Sequence, residues 1–283
     1  MSTSKALRFA VLGDPVAHSK SPAMHMAAYR ALELPHTYEA IQATAADLPR
    51  LVRALRDGAY DGLNVTVPHK LRILDHVDVV APSAEAAEAA NTLVRAPDGR
   101  IVAQNTDVPA LASELARLAP ERTPAGWAAS EAIVIGTGGA AHAAILALSK
   151  AIGVATITVR ARNPALLSVE SRPLVKAEPL APSARDATAL TIVQATSAGM
   201  DGADPGDTVA DAIAWRDLPA GAIALDVVYV PAETPFLRAA SARGLRCANG
   251  LGMLAEQGAL AFELWLGIPA PRDAMLAALV ASP

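Results

Sequence analysis

Cysteine is nearly absent from this sequence: Cys247 is the only one in 283 residues. That excludes an intramolecular disulfide and any multi-cysteine metal site, and it fits a reducing cytoplasm. An excess of charge of either sign is also missing. With 24 Lys+Arg against 28 Asp+Glu the formal net charge is -4, so bulk electrostatics point to neither nucleic acid nor an anionic membrane as a partner. A small-molecule substrate is expected instead. The six histidines include no His-Glu-x-x-His pattern or comparable ligand spacing, so no metal is expected. The opening stretch MSTSKALRF has no long apolar core followed by a small-residue cleavage site, and no signal peptide is expected. The run from Ala132 to Ser149 carries no charge and has the length of a membrane span, but its glycines and His142 suit a loop entering a helix, so no membrane span is expected. Low-complexity blocks and repeats of fixed period are lacking too.

The 52% hydrophobic content is ample for two cores, and the length suits two domains. A strand over Leu7 to Leu12, a helix capped by Ser21 with Pro22 at its first position, and a strand over Thr37 to Gln42 read as a βαβ opening. A helix near Leu48 to Leu55 leads to an apolar strand at Leu63 to Val67. Pro97-Asp98-Gly99 reads as a turn between Leu93-Val94 and Ile101-Val102. A helix from Asp107 to Leu118 is followed by the breakers Pro120, Pro124 and Gly126, the best boundary region. Strands over Leu190 to Ala195 and Ala222 to Val227 belong to a second, parallel sheet, and the last helices begin near Gly250.

Residues 131–162 carry the clearest ligand signal. An apolar run, Ala132 to Ile135, meets the turn Gly136-Thr137-Gly138-Gly139 and then an Ala-rich helix from Ala140 to Ala151. Gly136 supplies a tight turn, Gly138 lets the backbone approach a pyrophosphate, and the small Gly139, Ala140 and Ala141 allow close packing on the strand. The helix N-terminus faces the phosphates. The next strand, Ala155 to Val159, leads into Arg160-Ala161-Arg162-Asn163-Pro164, where an NAD site usually carries an acid. None occurs before Glu170. Arg162 can clamp a ribose 2′-phosphate and Arg160 can add positive charge, so NADP is the expected cofactor. Asn163 can cap a helix starting at Pro164 without competing with that role.

Polar residues recur at the ends of the first domain's strands: Ser19-Lys20-Ser21-Pro22, Asn64 to Lys70, Asn91-Thr92 and Asn105-Thr106-Asp107. In an open α/β sheet such positions converge on one edge. These segments, with Gly136 to Ala140, Ala195 to Met200, Asp226 to Pro231 and Gly250 to Met253, resemble the shikimate dehydrogenase family over nearly the whole chain and in the family's order.

The resemblance implies reversible, NADPH-dependent reduction of 3-dehydroshikimate to shikimate, on the route to chorismate and the aromatic amino acids. It implies an α/β architecture in which an N-terminal α/β substrate domain, 1–107 completed by 247–283, adjoins a Rossmann-type doubly wound NADP domain, 108–246, with substrate in the cleft between them. Lys70 and Asp107 match the family's catalytic pair. Hydride reaching a carbonyl carbon leaves negative charge on oxygen, and a lysine there can donate a proton or stabilise that charge. By the same match Ser19, Ser21 and Tyr229 bind the substrate carboxylate and Thr66, Asn91 and Gln257 contact ring hydroxyls, while Asn64 orders its strand end. Thr196 and Gly250 fall on the cofactor side. The chain departs from the family at Val108-Pro109-Ala110, where a glycine is usual, at Ala161, where Asn is common, and at His142, where Arg is common. A monomer and a homodimer both fit. Quinate or aminoshikimate dehydrogenation and a non-catalytic NADP sensor are the alternatives; methylenetetrahydrofolate dehydrogenase chemistry suits the serine pair and Tyr229 poorly.

Overall fold

The computed structural model describes residues 5–167 and 173–281. The chain divides into two compact units, Met1–Asp107 with Leu254–Pro283, and Val108–Met253.

The first unit contains β1 (Arg8–Gly13), α1 (Ser21–Ala31), β2 (Thr37–Gln42), α2 (Leu48–Arg56), β3 (Gly62–Val65), β4 (Val79–Val80), α3 (Pro82–Ala87), β5 (Thr92–Arg95) and β6 (Ile101–Gln104). Its strands run in the order β2-β1-β3-β5-β6-β4, with β5 antiparallel to both neighbours and the other pairs parallel. The apolar spacing of α2 explains its docking: Leu48, Leu51, Val52 and Leu55 form one buried stripe, while Arg50 and Arg53 face solvent. That stripe joins Ala10, Leu12, Leu63, Val65 and Leu93 in one core.

The second unit runs through α4 (Asp107–Leu118), whose first residue belongs to the first unit, α5 (Pro124–Ala128), β7 (Glu131–Ile135), α6 (Gly139–Leu146), β8 (Thr156–Ala161), β9 (Val175–Pro179), β10 (Ala189–Gln194), α7 (Asp207–Ala210), β11 (Ile223–Asp226), α8 (Pro235–Ala242) and β12 (Arg246–Ala248). All six strands are parallel, in the order β12-β11-β10-β7-β8-β9. This is the doubly wound order expected of a dinucleotide fold, with the switch point between β7 and β10. Strand alternation explains why both faces are covered. Ala132, Val134, Val193 and Leu225 enter one core, while Ile133, Ile135, Ile192 and Ala224 enter the other. The chain then returns to the first unit along α9 (Leu251–Leu266) and ends in α10 (Arg272–Ala281). There Trp265 stacks on Phe9 with ring centroids 4.8 Å apart and donates its indole N–H to the Leu93 carbonyl at 3.0 Å.

Three expectations change. The return falls at Leu254 rather than 247, because Cys247 sits in β12, paired with Ala224 of β11. Ser21 is not a cap: Lys20 holds that position, Ser21 is the first helical residue, and Ser19 Oγ accepts the Ser21 N–H at 3.3 Å. The Ala-rich helix loosens into a π-helical stretch over Ala147–Ile152 before Gly153 ends it.

Candidate functional site

In the first unit, sheet direction gathers the polar segments. β1, β3 and β6 present their carboxyl ends on one edge, and antiparallel β5 presents its amino end there, with Asn64 opposite Thr92 and Thr92 opposite Gln104. Backbone bonds lock the loops: Thr66 N–H to Leu12 O at 2.8 Å, Asp14 N–H to Val67 O at 3.0 Å, and Ala90 N–H to Lys70 O at 2.8 Å. His69, buried just before Lys70, donates Nε2–H to the Ala43 carbonyl at 2.6 Å.

Lys70 Nζ lies 2.7 Å from Asp107 Oδ2, with the lysine side chain 13% and the aspartate 3% exposed. The pair is therefore shielded, yet the ammonium can still be reached. Asp107 is the first residue of α4, where the helix N-terminus favours negative charge. Its second oxygen accepts Asn91 Nδ2–H at 2.9 Å. Asn91 is itself fixed: Oδ1 accepts the Thr106 backbone N–H at 2.8 Å, and Nδ2 also faces Thr106 Oγ1 at 2.8 Å and Gln257 Oε1 at 3.2 Å. Gln257, from α9, in turn donates Nε2–H to Leu254 O at 2.9 Å. Thus Lys70, Asp107, Asn91 and Gln257 form one constellation. Thr66 and Ser19 stand in the loops that follow β3 and β1, Ser21 begins α1, and Lys20 Nζ donates to Leu279 O of α10 at 3.4 Å. The unusual Val108-Pro109-Ala110 segment is the first turn of α4, where proline's missing N–H costs no helical bond, and Ala110 is fully buried.

The strand-end role expected of Asn64 comes through partners that sequence reasoning did not name. Asn64 is buried; its Oδ1 accepts the Tyr38 hydroxyl at 2.7 Å and its Nδ2 donates to Asn91 O at 2.9 Å and Thr92 Oγ1 at 3.1 Å. Asn105, in the same triplet as Asp107, donates Nδ2–H to Ala89 O at 2.8 Å.

In the second unit the glycine turn follows β7. Gly136 has φ +119°, and a Cβ there would lie 2.8 Å from Thr196 Cγ2 and 3.0 Å from Ala195 O. Gly138 is the N-cap of α6, and a Cβ on it would meet nothing within 4 Å. Its exposed face is open to a ligand, while the buried Gly139 and the partly buried Ala140 start the helix. Thr196 Oγ1 accepts the Ala198 N–H at 3.1 Å, shaping the neighbouring loop. Gly250 is buried and donates its N–H to Val228 O at 3.0 Å, holding the loop that bears Tyr229. Two residues the sequence reading did not single out join these loops. Gln194 Nε2 reaches Ala198 O at 3.0 Å and Asp226 Oδ1 at 3.2 Å. Asp226 also accepts the Thr234 hydroxyl at 2.6 Å and the Val228 N–H at 2.9 Å, and burial pushes its carboxyl up to about 6.

Arg162 is exposed just beyond β8 and makes no hydrogen bond or ion pair among the described residues. Arg160 corrects the expectation made for it. It lies inside β8, paired in register with Ile135 and Glu178, and is fully buried. Its guanidinium contacts Asp186 Oδ1 at 2.7 Å, Ala212 O at 2.7 Å and Ser183 Oγ at 2.9 Å. An arginine inside a strand follows the alternation into the protein, so its charge is neutralised by Asp186 and is not offered to a phosphate. Asn163 precedes a short 3₁₀ turn, Pro164–Leu166, without a side-chain cap bond, and Glu170 lies outside the described residues.

Comparison with known proteins agrees with this geometry. The family model of the shikimate dehydrogenase substrate binding domain matches residues 11–93, and that of the shikimate 5'-dehydrogenase C-terminal domain matches residues 250–280. The shikimate dehydrogenase (NADP(+)) of Shouchella clausii is 36% identical over 276 residues, covering 95% of this chain and 96% of that protein. The chain belongs to the shikimate dehydrogenase family. A second shikimate dehydrogenase (NADP(+)), from Thermus thermophilus, is 41% identical over 263 residues, 93% of each. The crystal structure of a Thermus thermophilus shikimate 5-dehydrogenase in complex with NADP(H) and shikimate has a TM-score of 0.82 to this chain at 38% identity, covering 97% of this chain and 98% of that one. In this chain the doubly wound sheet carries the glycine turn and the mixed sheet carries the lysine and aspartate.

Proposed function

We propose that this protein catalyses the reversible, NADPH-dependent reduction of 3-dehydroshikimate to shikimate, a step toward chorismate and the aromatic amino acids. The observation that carries the reading is the shielded Lys70–Asp107 pair at 2.7 Å, on the same sheet edge as Asn91, whose amide donates to Gln257 of α9.

The cofactor fits the second unit. Gly138 leaves the space a pyrophosphate needs at the N-terminus of α6, and Arg162, exposed just after β8, pairs with the 2′-phosphate. Gly136, Gly139 and Ala140 shape this turn, with Thr196 and Gly250 on flanking loops. Bound there, the reduced nicotinamide supplies the hydride.

The rest of the chemistry belongs to side chains. As charge gathers on the substrate's carbonyl oxygen, Lys70 holds a proton on Nζ and delivers it to that oxygen; in the oxidation direction Nζ takes the hydroxyl proton. Asp107 Oδ2 keeps the ammonium aimed and the carboxylate can accept from a neighbouring ring hydroxyl. Thr66, Asn91 and Gln257 add hydroxyl contacts, which discriminate against analogues lacking those groups. Ser19 and Ser21 hold the substrate carboxylate with neutral hydroxyl donors. The reducing cytoplasm is the compartment that suits this reaction and the lone cysteine.

The test is absorbance of the reduced nicotinamide with purified protein and every pairing of shikimate, quinate or aminoshikimate with NADP or NAD. Fast reduction with shikimate and NADP is expected. Preference for quinate or aminoshikimate would reassign the substrate, and nucleotide binding with no turnover would make the protein a sensor.

A further inference from the structure

We propose that Thr92 is a positioning residue for the reaction, the junction of a buried hydrogen-bond relay that begins at Tyr38 and ends on Asp107. The inference rests on the reaction proposed above. Its direction starts from a group that has only one option. The Asn91 carbonyl can only accept, so Asn64 must turn its amide nitrogen toward it at 2.9 Å. Asn64 Oδ1 then faces Tyr38, whose hydroxyl donates at 2.7 Å. The second Asn64 N–H points at Thr92 Oγ1 at 3.1 Å. With that lone pair occupied, the Thr92 hydroxyl hydrogen is left to donate, and Asn91 Oδ1 at 3.2 Å is nearer than Thr106 Oγ1 at 3.4 Å. Asn91 Oδ1 also takes the Thr106 backbone N–H, so the far side of its amide presents Nδ2 to Asp107 Oδ1 at 2.9 Å. Asp107 offers its remaining oxygen to Lys70.

Every member from Tyr38 to Asp107 is buried, and Thr92 is fully so. Water is therefore not at hand to replace a lost partner, and the Thr92 hydroxyl is a second donor to the Asn91 Oδ1 that the Thr106 N–H also holds. Thr92 touches neither Lys70 nor Asp107 directly. It acts through Asn91, whose rotation would take a donor away from the carboxylate that aims the lysine.

The test compares Thr92→Val, which keeps the shape and removes the hydroxyl, with Thr92→Ser, which keeps the hydroxyl. Turnover with shikimate and NADP and its pH profile are read for each, alone and in a Lys70→Ala background. Thr92→Val should lower kcat by about tenfold, the scale of one buried hydrogen bond, with a smaller change in the KM for NADP. The limb of the profile that Lys70→Ala abolishes should move. Thr92→Ser should restore both, and in the Lys70→Ala background Thr92→Val should have no further effect on kcat. A folded Thr92→Val protein with wild-type kcat and pH profile overturns the proposal, as does an undiminished effect without Lys70. Should Thr92→Val fail to fold, Tyr38→Phe removes only the first hydroxyl of the relay and is read in the same way. A wild-type protein inactive on shikimate refutes the reaction itself, whereas an active wild type with an insensitive variant refutes only the relay.

Discussion

Asp226→Asn should change how stability depends on pH. Asp226 ends β11 with its carboxyl buried against Thr234, Val228 and Gln194, and that burial raises it from 3.8 to about 6. A shift of that size separates the two protonation states by about 3 kcal/mol. Between pH 4 and 6 the folded chain holds a proton at Asp226 that the unfolded chain has released. Stability from the neutral carboxyl is therefore complete below about pH 4 and is lost as pH rises through 6. Asparagine cannot ionise, keeps an oxygen for the Val228 N–H, and can donate to the Thr234 hydroxyl, which is free to rotate. Urea unfolding of both proteins at several pH values gives the difference, wild type minus variant. It should fall by up to about 3 kcal/mol from about pH 4 to about pH 7.5. Taking a difference removes other titrations, above all that of His25, whose fully buried imidazole is depressed to about 3. His25 makes both proteins lose stability as pH falls below the usual imidazole range, the opposite slope. A difference that stays flat across this window refutes the reasoning.

Other expectations follow from the second unit. Arg162→Ala should weaken NADPH binding far more than NADH binding in a fluorescence titration, because the exposed guanidinium is assigned only to the 2′-phosphate; equal losses would remove that assignment. Gly136→Ala should destabilise by roughly 2 to 4 kcal/mol, from backbone strain at φ +119° and contacts of 2.8 and 3.0 Å with Thr196 and Ala195; an unchanged urea midpoint contradicts it. Gly138→Ala should leave that midpoint nearly unchanged, since its methyl meets nothing within 4 Å, while lowering nucleotide affinity in the same titration.

Features that depend on local chemistry were readable. The β7 turn is legible because glycine is the residue that tolerates both φ +119° at Gly136 and close ligand approach at Gly138. The helix starting at Asp107 and the hairpin over Pro97-Asp98-Gly99 are likewise written in local periodicity and turn residues. Features decided by distant partners were not. Arg160 reads as a cofactor ligand until Asp186, far along the chain, is seen to neutralise it. β12 is three residues long and exists because β11 lies beside it. Ser21 has a capping residue's chemistry, but Lys20 takes the cap position and the Ser19 hydroxyl receives the free N–H. The relay through Asn64 and Thr92 joins residues from distant stretches of the chain, and no single segment announces it.

The most direct measurement of the central claim is turnover of Lys70→Ala with shikimate and NADP, alongside circular dichroism and nucleotide titration to show that the variant is folded and binds. Loss of a general acid and base should reduce kcat by about 10² to 10⁴ with a smaller effect on substrate affinity. Near-normal turnover in a folded, nucleotide-binding Lys70→Ala protein would show that the Lys70–Asp107 pair is a structural salt bridge and that another group handles the proton.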